Sequence, residues 1–368
     1  MRLGAAERTV ASAVLDGDVV RVELDDGTTV DRHALALRDG CVCADCRHPV
    51  SGQRLFESGR VLRDLQAIAV GVSPDGALVI EWSDGHRGSF GAGWFADGQP
   101  GLIRRWDASL RGSVPEHTWP DVTGNRPARA AWLRDAAELG FAVLHGVPTE
   151  PGLVAEVAGL FGAVRETNYG RVFDVSVTVG ATNLADTALP LSPHTDNPYR
   201  DPTPTLQLLH CLVSGLDGGE TVLVDGFDIV ERMRRDVPDA FATLAREPIC
   251  FAYRDEGAEL CAESPIVTLG PQGDVAALHL NNRSKGIPTG EPARVAAWYD
   301  AYLALLELVE SPGQQLVFRL EPGDVVLFDN LRILHGRTGF AGAGKRLLQG
   351  CYADRDALLS TLAVLERR

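Results

Sequence analysis

No apolar run in this 368-residue sequence approaches the roughly 18–20 residues needed to cross a bilayer. The opening residues, Met1 to Arg8, lack the basic start and apolar core of a signal peptide, so a cytoplasmic location is expected. Positive charge is in deficit. The 35 Lys and Arg against 50 Asp and Glu leave a formal charge of −15, which repels nucleic acid and anionic membranes at long range. A local basic pocket for a small anion is still compatible with that total. Seven Cys are few for a disulfide scaffold and fit a reducing compartment. The sequence has no internal repeat, no low-complexity segment, no collagen-like Gly period and no Gly-x-Ser-x-Gly nucleophile elbow.

What is present is ordinary globular composition, 45% hydrophobic and 23% charged, at a length that suggests two domains. Residues 18–30 alternate apolar and polar around Asp26-Gly27, and residues 76–90 do so around Asp84-Gly85. Both read as β-hairpins, which predicts a small β-rich domain over 1–100. Residues 101–122 carry Gly and Pro without periodicity and read as a linker. The second domain, 123–368, opens with helical spacing at 126–139 that stops at Gly140, then a short strand at 141–144 and a helix at 151–161. Short β-like runs follow at 171–179, 205–213, 220–225, 248–253, 275–280, 315–320 and 324–328, with helical spacing at 228–245 and 291–309. This mainly β pattern with flanking helices fits a barrel or jelly-roll core.

Two constellations carry chemistry. In Pro193-His194-Thr195-Asp196-Asn197-Pro198, an extended backbone puts His194 and Asp196 on one face, although a solvated turn is the commoner meaning of that pair by itself. His335 lies 139 residues beyond Asp196, after the apolar run at 325–328, and could complete a two-His, one-carboxylate set that leaves positions open on Fe(II). Arg346 follows eleven residues later and could clamp a carboxylate in bidentate fashion. Separately, Cys41, Cys43 and Cys46 with His86 make a closed tetrahedral donor set of the kind structural zinc uses. The alternative is that His86 is a turn residue and the thiols are small apolar fillers.

His194, Asp196, His335 and Arg346 together resemble the Fe(II)- and 2-oxoglutarate-dependent oxygenases of the taurine dioxygenase type. The resemblance covers about 123–368 and implies a double-stranded β-helix, O2 as co-substrate, and Thr221 as a second contact to 2-oxoglutarate. The cysteine cluster ahead of such a core resembles γ-butyrobetaine hydroxylase and its relatives, which implies zinc on Cys41, Cys43, Cys46 and His86, and a homodimer. It also implies an aromatic cage for a trimethylammonium group at Tyr169, Phe173 and Tyr352, with Asp186 where the γ-butyrobetaine enzymes carry a further tyrosine. Asn183, which matches a polar position of the family, Asn197 and Arg283 fall on the anion end, and the pair Asn197 and Arg283 is similar to bacterial 2-(trimethylammonio)ethylphosphonate hydroxylases.

The expected function is therefore hydroxylation of a small quaternary-ammonium zwitterion, a phosphonate ahead of the carboxylate γ-butyrobetaine. Asp186 also keeps open an oxygenase of an amino acid or natural-product intermediate. A zinc-bearing, cupin-like binding protein is the reading outside enzymes, and a zinc hydrolase would leave Arg346 without a role. Arg200 is expected to pair with an acid, and the bland reading of Arg283 and Lys285 is a solvated loop charge.

Overall fold

A computed structural model describes residues 8–95, 103–176, 187–215, 217–341 and 344–367. The chain divides into two compact units, Met1–Pro100 and Gly101–Arg368.

The first unit holds two three-stranded antiparallel sheets, Val10–Asp16 with Val19–Leu24 and Thr29–His33, and Ala67–Val72 with Leu78–Trp82 and Arg87–Phe90. Val20, Val22 and Leu24 are buried on one face while their neighbours are exposed, the period-2 signature of a half-buried strand. They share a core with Leu37, Leu78, Ile80, Trp82 and Phe90. Gly27 and Gly85, at φ 81° and 79°, supply the left-handed positions that both hairpin turns need. Two strands escape notice in the sequence, Val10–Asp16 and Ala67–Val72, because exposure on both faces removes the strict alternation.

The second unit is a sandwich of two sheets. The larger runs Phe173–Ser176, Arg346–Ala353, Leu206–Ser214, Val325–Asp329, Phe141–His145, Glu116–Thr118, with Val164–Arg165 beside Arg346–Ala353. The smaller runs Leu191–His194, Ile333–Arg337, Thr221–Asp225, Leu316–Phe318. Phe141, Val143, Val326, Phe328 and Leu348 of the large sheet meet Leu223, Leu316 and Ile333 of the small one in a shared core. Alternate residues on the same strands, such as Ala142, Leu144, Leu208 and Leu327, pack outward against Trp132, Leu133, Val157, Leu358 and Leu362 of the helices. These strands are therefore buried on both faces and read as continuous apolar runs. The opposite face of the small sheet, Val224 and Leu334, packs on helices Gly226–Asp236, Pro238–Arg246 and Pro292–Glu310. This is the jelly-roll core with flanking helices that the spacing predicts.

Two expectations need adjustment. Residues 103–122 are not a linker: they contain the 3-10 turn Ala108–Gly112, strand Glu116–Thr118 and the start of helix Trp119–Gly124. The strand runs parallel to Phe141–His145, and this non-local pairing leaves no periodic trace in so short a segment. The helical spacing at 228–245 is two helices, because Pro238 has no N–H to continue the first. Helix Arg126–Leu139 matches its sequence signals: Asn125 accepts from the Ala128 N–H at 3.2 Å, and Gly140 turns left-handed at φ 80°. Among the described residues no helix is long and apolar enough to cross a membrane.

Candidate active site

His194 ends strand Leu191–His194, and His335 faces it across the antiparallel pair with Ile333–Arg337. Their rings lie 4.4 Å apart between centroids. Asp196 leaves the strand and turns back toward them, with Oδ1 3.3 Å from His194 Nε2 and Oδ2 3.7 Å from His335 Nε2. The donor atoms of the three residues all lie within 4.8 Å of one another, a group that could hold a metal ion. His194 Nδ1 sits 2.9 Å from the Ser192 carbonyl, so this nitrogen carries the proton and Nε2 is free to ligate. Burial pushes the His194 imidazole down to about 4, with His335 adding to the effect, so the ring is neutral as a ligand must be. Burial opposes the charge on Asp196, but the two imidazoles outweigh it and hold the carboxyl well below the usual range.

The turn carrying Asp196 is fixed on every side. Asn330 accepts from the Asp196 N–H at 2.7 Å and donates to the carbonyls of Asp196 and Pro204, each at 2.9 Å. Thr195 exchanges hydrogen bonds with Leu280, and Asn281 donates to the Thr195 carbonyl at 2.9 Å. Tyr352 donates its hydroxyl to Asp196 Oδ2 at 3.0 Å. Gly336, next to His335, has no room for a side chain, since a Cβ there would collide with the Leu191 carbonyl.

These residues open onto a cavity of about 690 Å3 that Thr221, Arg346, Asn197, Arg283, Tyr169, Phe173 and Tyr352 also line. Every expected site residue of this unit that is described thus faces one space. Thr221 begins the central strand of the small sheet and Arg346 begins Arg346–Ala353 in the large one. Gly219, at φ 74°, lets the backbone pass close to the guanidinium, where a Cβ would lie 3.3 Å from Arg346 Nε. Burial lowers the Arg346 pKa, and among the described side chains none forms an ion pair with it, a setting suited to an incoming carboxylate. Asn197 adopts φ 55°, which Asn tolerates, and its Nδ2 is a buried donor without a protein partner.

The aromatic wall is larger than the sequence suggested. Phe173 lies 5.1 Å from Tyr352 and 6.1 Å from Tyr169. Two further tyrosines join it: Tyr199 bonds the Tyr169 hydroxyl at 2.8 Å and donates to Asn197 at 2.6 Å, and Tyr253 stacks on Tyr199 at 5.0 Å. The position of Tyr199 three residues after Asp196 is a signal that was available; that of Tyr253, on a distant hairpin, was not. Asn183 and Asp186 lie outside the described residues. Arg200 bonds Asn168 rather than an acid. Lys285 lies outside the cavity lining, its Nζ over the rings of Trp298 and Tyr302 at 5.3 and 5.2 Å.

In the first unit, His86 Nε2 lies 3.3, 3.8 and 3.6 Å from the sulfurs of Cys41, Cys43 and Cys46. Tetrahedral zinc with ordinary bond lengths sets sulfur and nitrogen about 3.5 Å apart, so the four donors fit that ion. Arg38 approaches Cys46 Sγ at 3.2 Å, placed to offset the charge that metal-bound thiolates would carry.

A two-His, one-carboxylate cluster opening into a jelly-roll cavity, with a half-buried Arg on the next sheet, defines a non-heme iron, 2-oxoglutarate-dependent oxygenase. Residues 106–352 match the family described as "Taurine catabolism dioxygenase TauD, TfdA family", and residues 13–95 match "Gamma-butyrobetaine hydroxylase-like, N-terminal". Gamma-butyrobetaine dioxygenase of Pseudomonas sp. (strain AK-1) is 36% identical over 97% of this chain and 96% of its own length. The human protein of the same name is 29% identical over 91% of each chain. Trimethyllysine dioxygenase of Meyerozyma guilliermondii is 27% identical over 98% and 96%. The chain belongs to the TauD/TfdA family and is an Fe(II)- and 2-oxoglutarate-dependent dioxygenase.

Proposed function

We propose that this dioxygenase hydroxylates a small quaternary-ammonium zwitterion whose anionic end is a phosphonate, with 2-(trimethylammonio)ethylphosphonate as first candidate. His194, Asp196 and His335 hold Fe(II), and Arg346 with Thr221 takes the far carboxylate of 2-oxoglutarate. Cys41, Cys43, Cys46 and His86 hold a structural zinc. Iron and 2-oxoglutarate, when bound, supply O2-dependent conversion of a C–H bond to an alcohol, with 2-oxoglutarate leaving as succinate and CO2.

The chain's own residues select and orient the substrate. The rings of Tyr169, Phe173 and Tyr352, with Tyr199 and Tyr253 behind them, attract a trimethylammonium by about 0.5–2 kcal/mol for each ring face it meets. Asn197 Nδ2 and Arg283 supply donors to the anion, and a phosphonate gives a guanidinium two acceptor oxygens on a doubly charged group. Asn183 and Asp186 belong to the same proposal on sequence grounds, as does a homodimer.

The observation that carries the reading is that Arg283 shares the cavity of the His–Asp–His cluster with an aromatic wall. A second reading, γ-butyrobetaine, is favoured by likeness over nearly the whole chain to two proteins named for that reaction.

The test is succinate formation by Fe(II)-loaded protein with 2-oxoglutarate, O2 and a panel of the phosphonate, γ-butyrobetaine, trimethyllysine and their unmethylated amines. The proposal expects strongest stimulation by the phosphonate. It also expects Arg283→Ala to raise KM for it about 10–100-fold, the worth of a hydrogen bond to a charged group. Preference for γ-butyrobetaine with an indifferent Arg283 would establish the second reading instead.

A further inference from the structure

The chemistry above makes no use of the antiparallel hairpin thiols on Pro248–Arg254 and Glu259–Pro265. Cys250 pairs with Glu263, and Cys261 with Ala252. Residues 261 and 263 share a face, so Cys250 and Cys261 are diagonal neighbours on one side of the hairpin. Their sulfurs are 2.7 Å apart, a short displacement from the about 2.05 Å of a disulfide bond. Cys261 is exposed and Cys250 half-buried, so small thiols and disulfides have access. The hairpin is also a wall of the iron cavity: Ala252, Tyr253, Arg254 and Asp255 line it. Tyr253 donates to Asp255 at 2.6 Å and stacks on Tyr199.

We propose that Cys250 and Cys261 are a redox-active dithiol that closes to a cross-strand disulfide and stiffens the cavity wall carrying Tyr253. The oxidant is a low-molecular-weight disulfide of the glutathione class. The exposed Cys261 thiolate attacks one of its sulfurs, the small disulfide bond breaks, and one small thiolate leaves and takes up a proton. Cys250 then gives up its proton and attacks Cys261 Sγ, displacing the second small thiol. Two electrons pass from the protein pair to the small disulfide, and two equivalents of thiol are released. The neighbouring thiol pushes Cys250 up to about 11, which suits it to the second, intramolecular step rather than the first. A pair that opens and closes in a reducing compartment is a sensor, not a structural crosslink. The inference is independent of which substrate the cavity takes.

The experiment uses the full-length, zinc-loaded protein without iron. It is incubated anaerobically with oxidised glutathione, alkylated, and digested without reduction. The expected product is a peptide linking Cys250 to Cys261 that dithiothreitol reverses. Cys250→Ser should instead keep a glutathione adduct on Cys261 that outlives the wild-type adduct by about 10-fold or more, because no resolving thiol remains. Cys261→Ser, at an exposed position, should show neither product. Deuterium uptake across residues 252–258 should fall on oxidation of the wild type only. Both thiols staying alkylatable in the wild type, or an equally persistent adduct there, would overturn the dithiol. Unchanged exchange over 252–258 after linkage would overturn the stiffening.

Discussion

The two metal-capable clusters differ in how the chain builds them. The cysteine cluster takes three donors from six consecutive residues and the fourth from a neighbouring hairpin, and its four side chains leave no position for a small molecule. The His–Asp–His cluster takes its donors from a strand end and a partner strand 139 residues after Asp196, stops at three, and faces a cavity of about 690 Å3. The closed set is suited to holding a fold together. The open one is suited to chemistry, and the residues around it serve to keep three donors in place without adding a fourth.

The sharpest way to break this comparison is His194→Ala. It should lower substrate-stimulated succinate formation by more than the roughly 100-fold that loss of a supporting residue costs. Zinc content should be unchanged; metal analysis and a succinate assay check both, and full turnover would remove His194 from the site. Cys46→Ser addresses the other cluster. Structural zinc contributes about 10–16 kcal/mol in small zinc domains, so this variant should lose zinc and the cooperative melting of the first unit. Iron content should persist, and a variant that keeps its zinc would remove Cys46 from the donor set.

Asn330→Ala sharpens the picture of support. It strips partners from the Asp196 N–H and the carbonyls of Asp196 and Pro204. Denaturant titration should show about 3 kcal/mol lost, and iron affinity should fall about 10–100-fold. The smallest effect concerns pH. Burial pushes His279, beside the segment that holds Thr195, down to about 4. The imidazole is thus neutral in the fold but protonates near pH 6.5 when unfolded, so its contribution is present at pH 7 and lost as pH falls from about 6.5 toward 4. With His279 only half-buried, its share of the difference in urea stability of the second unit between pH 7 and pH 4.5 should be about 2 kcal/mol, beside that of His194. His279→Gln should reduce the difference by about that share, and an unchanged slope would assign acid sensitivity elsewhere.

Much of the fold is legible because local signals agree with it. Asn125 and Gly140 bracket helix Arg126–Leu139, and Asp-Gly pairs mark both hairpins of the first unit. Strand Glu116–Thr118 is not legible, since a three-residue parallel pairing is decided by its partner rather than by its own composition. The two candidate metal clusters follow from motif and spacing taken together with the family resemblance. The frame around them does not: Asn330 is a short polar residue after an apolar run, with nothing local to say that it holds Asp196. Tyr253 likewise reaches the aromatic wall only through the packing of a hairpin far along the chain.

The reach of Asn330 across 134 residues to Asp196 also bears on how the protein comes to be. A ligand turn suspended from so distant a side chain cannot be set before the jelly roll has closed, whereas the cysteine cluster needs only contacts within the first hundred residues. During refolding from denaturant, zinc capture should therefore come early and iron capture last. Iron uptake then works as a clock for completed topology, and a chain stalled with its sheets unjoined would carry zinc while remaining blind to iron.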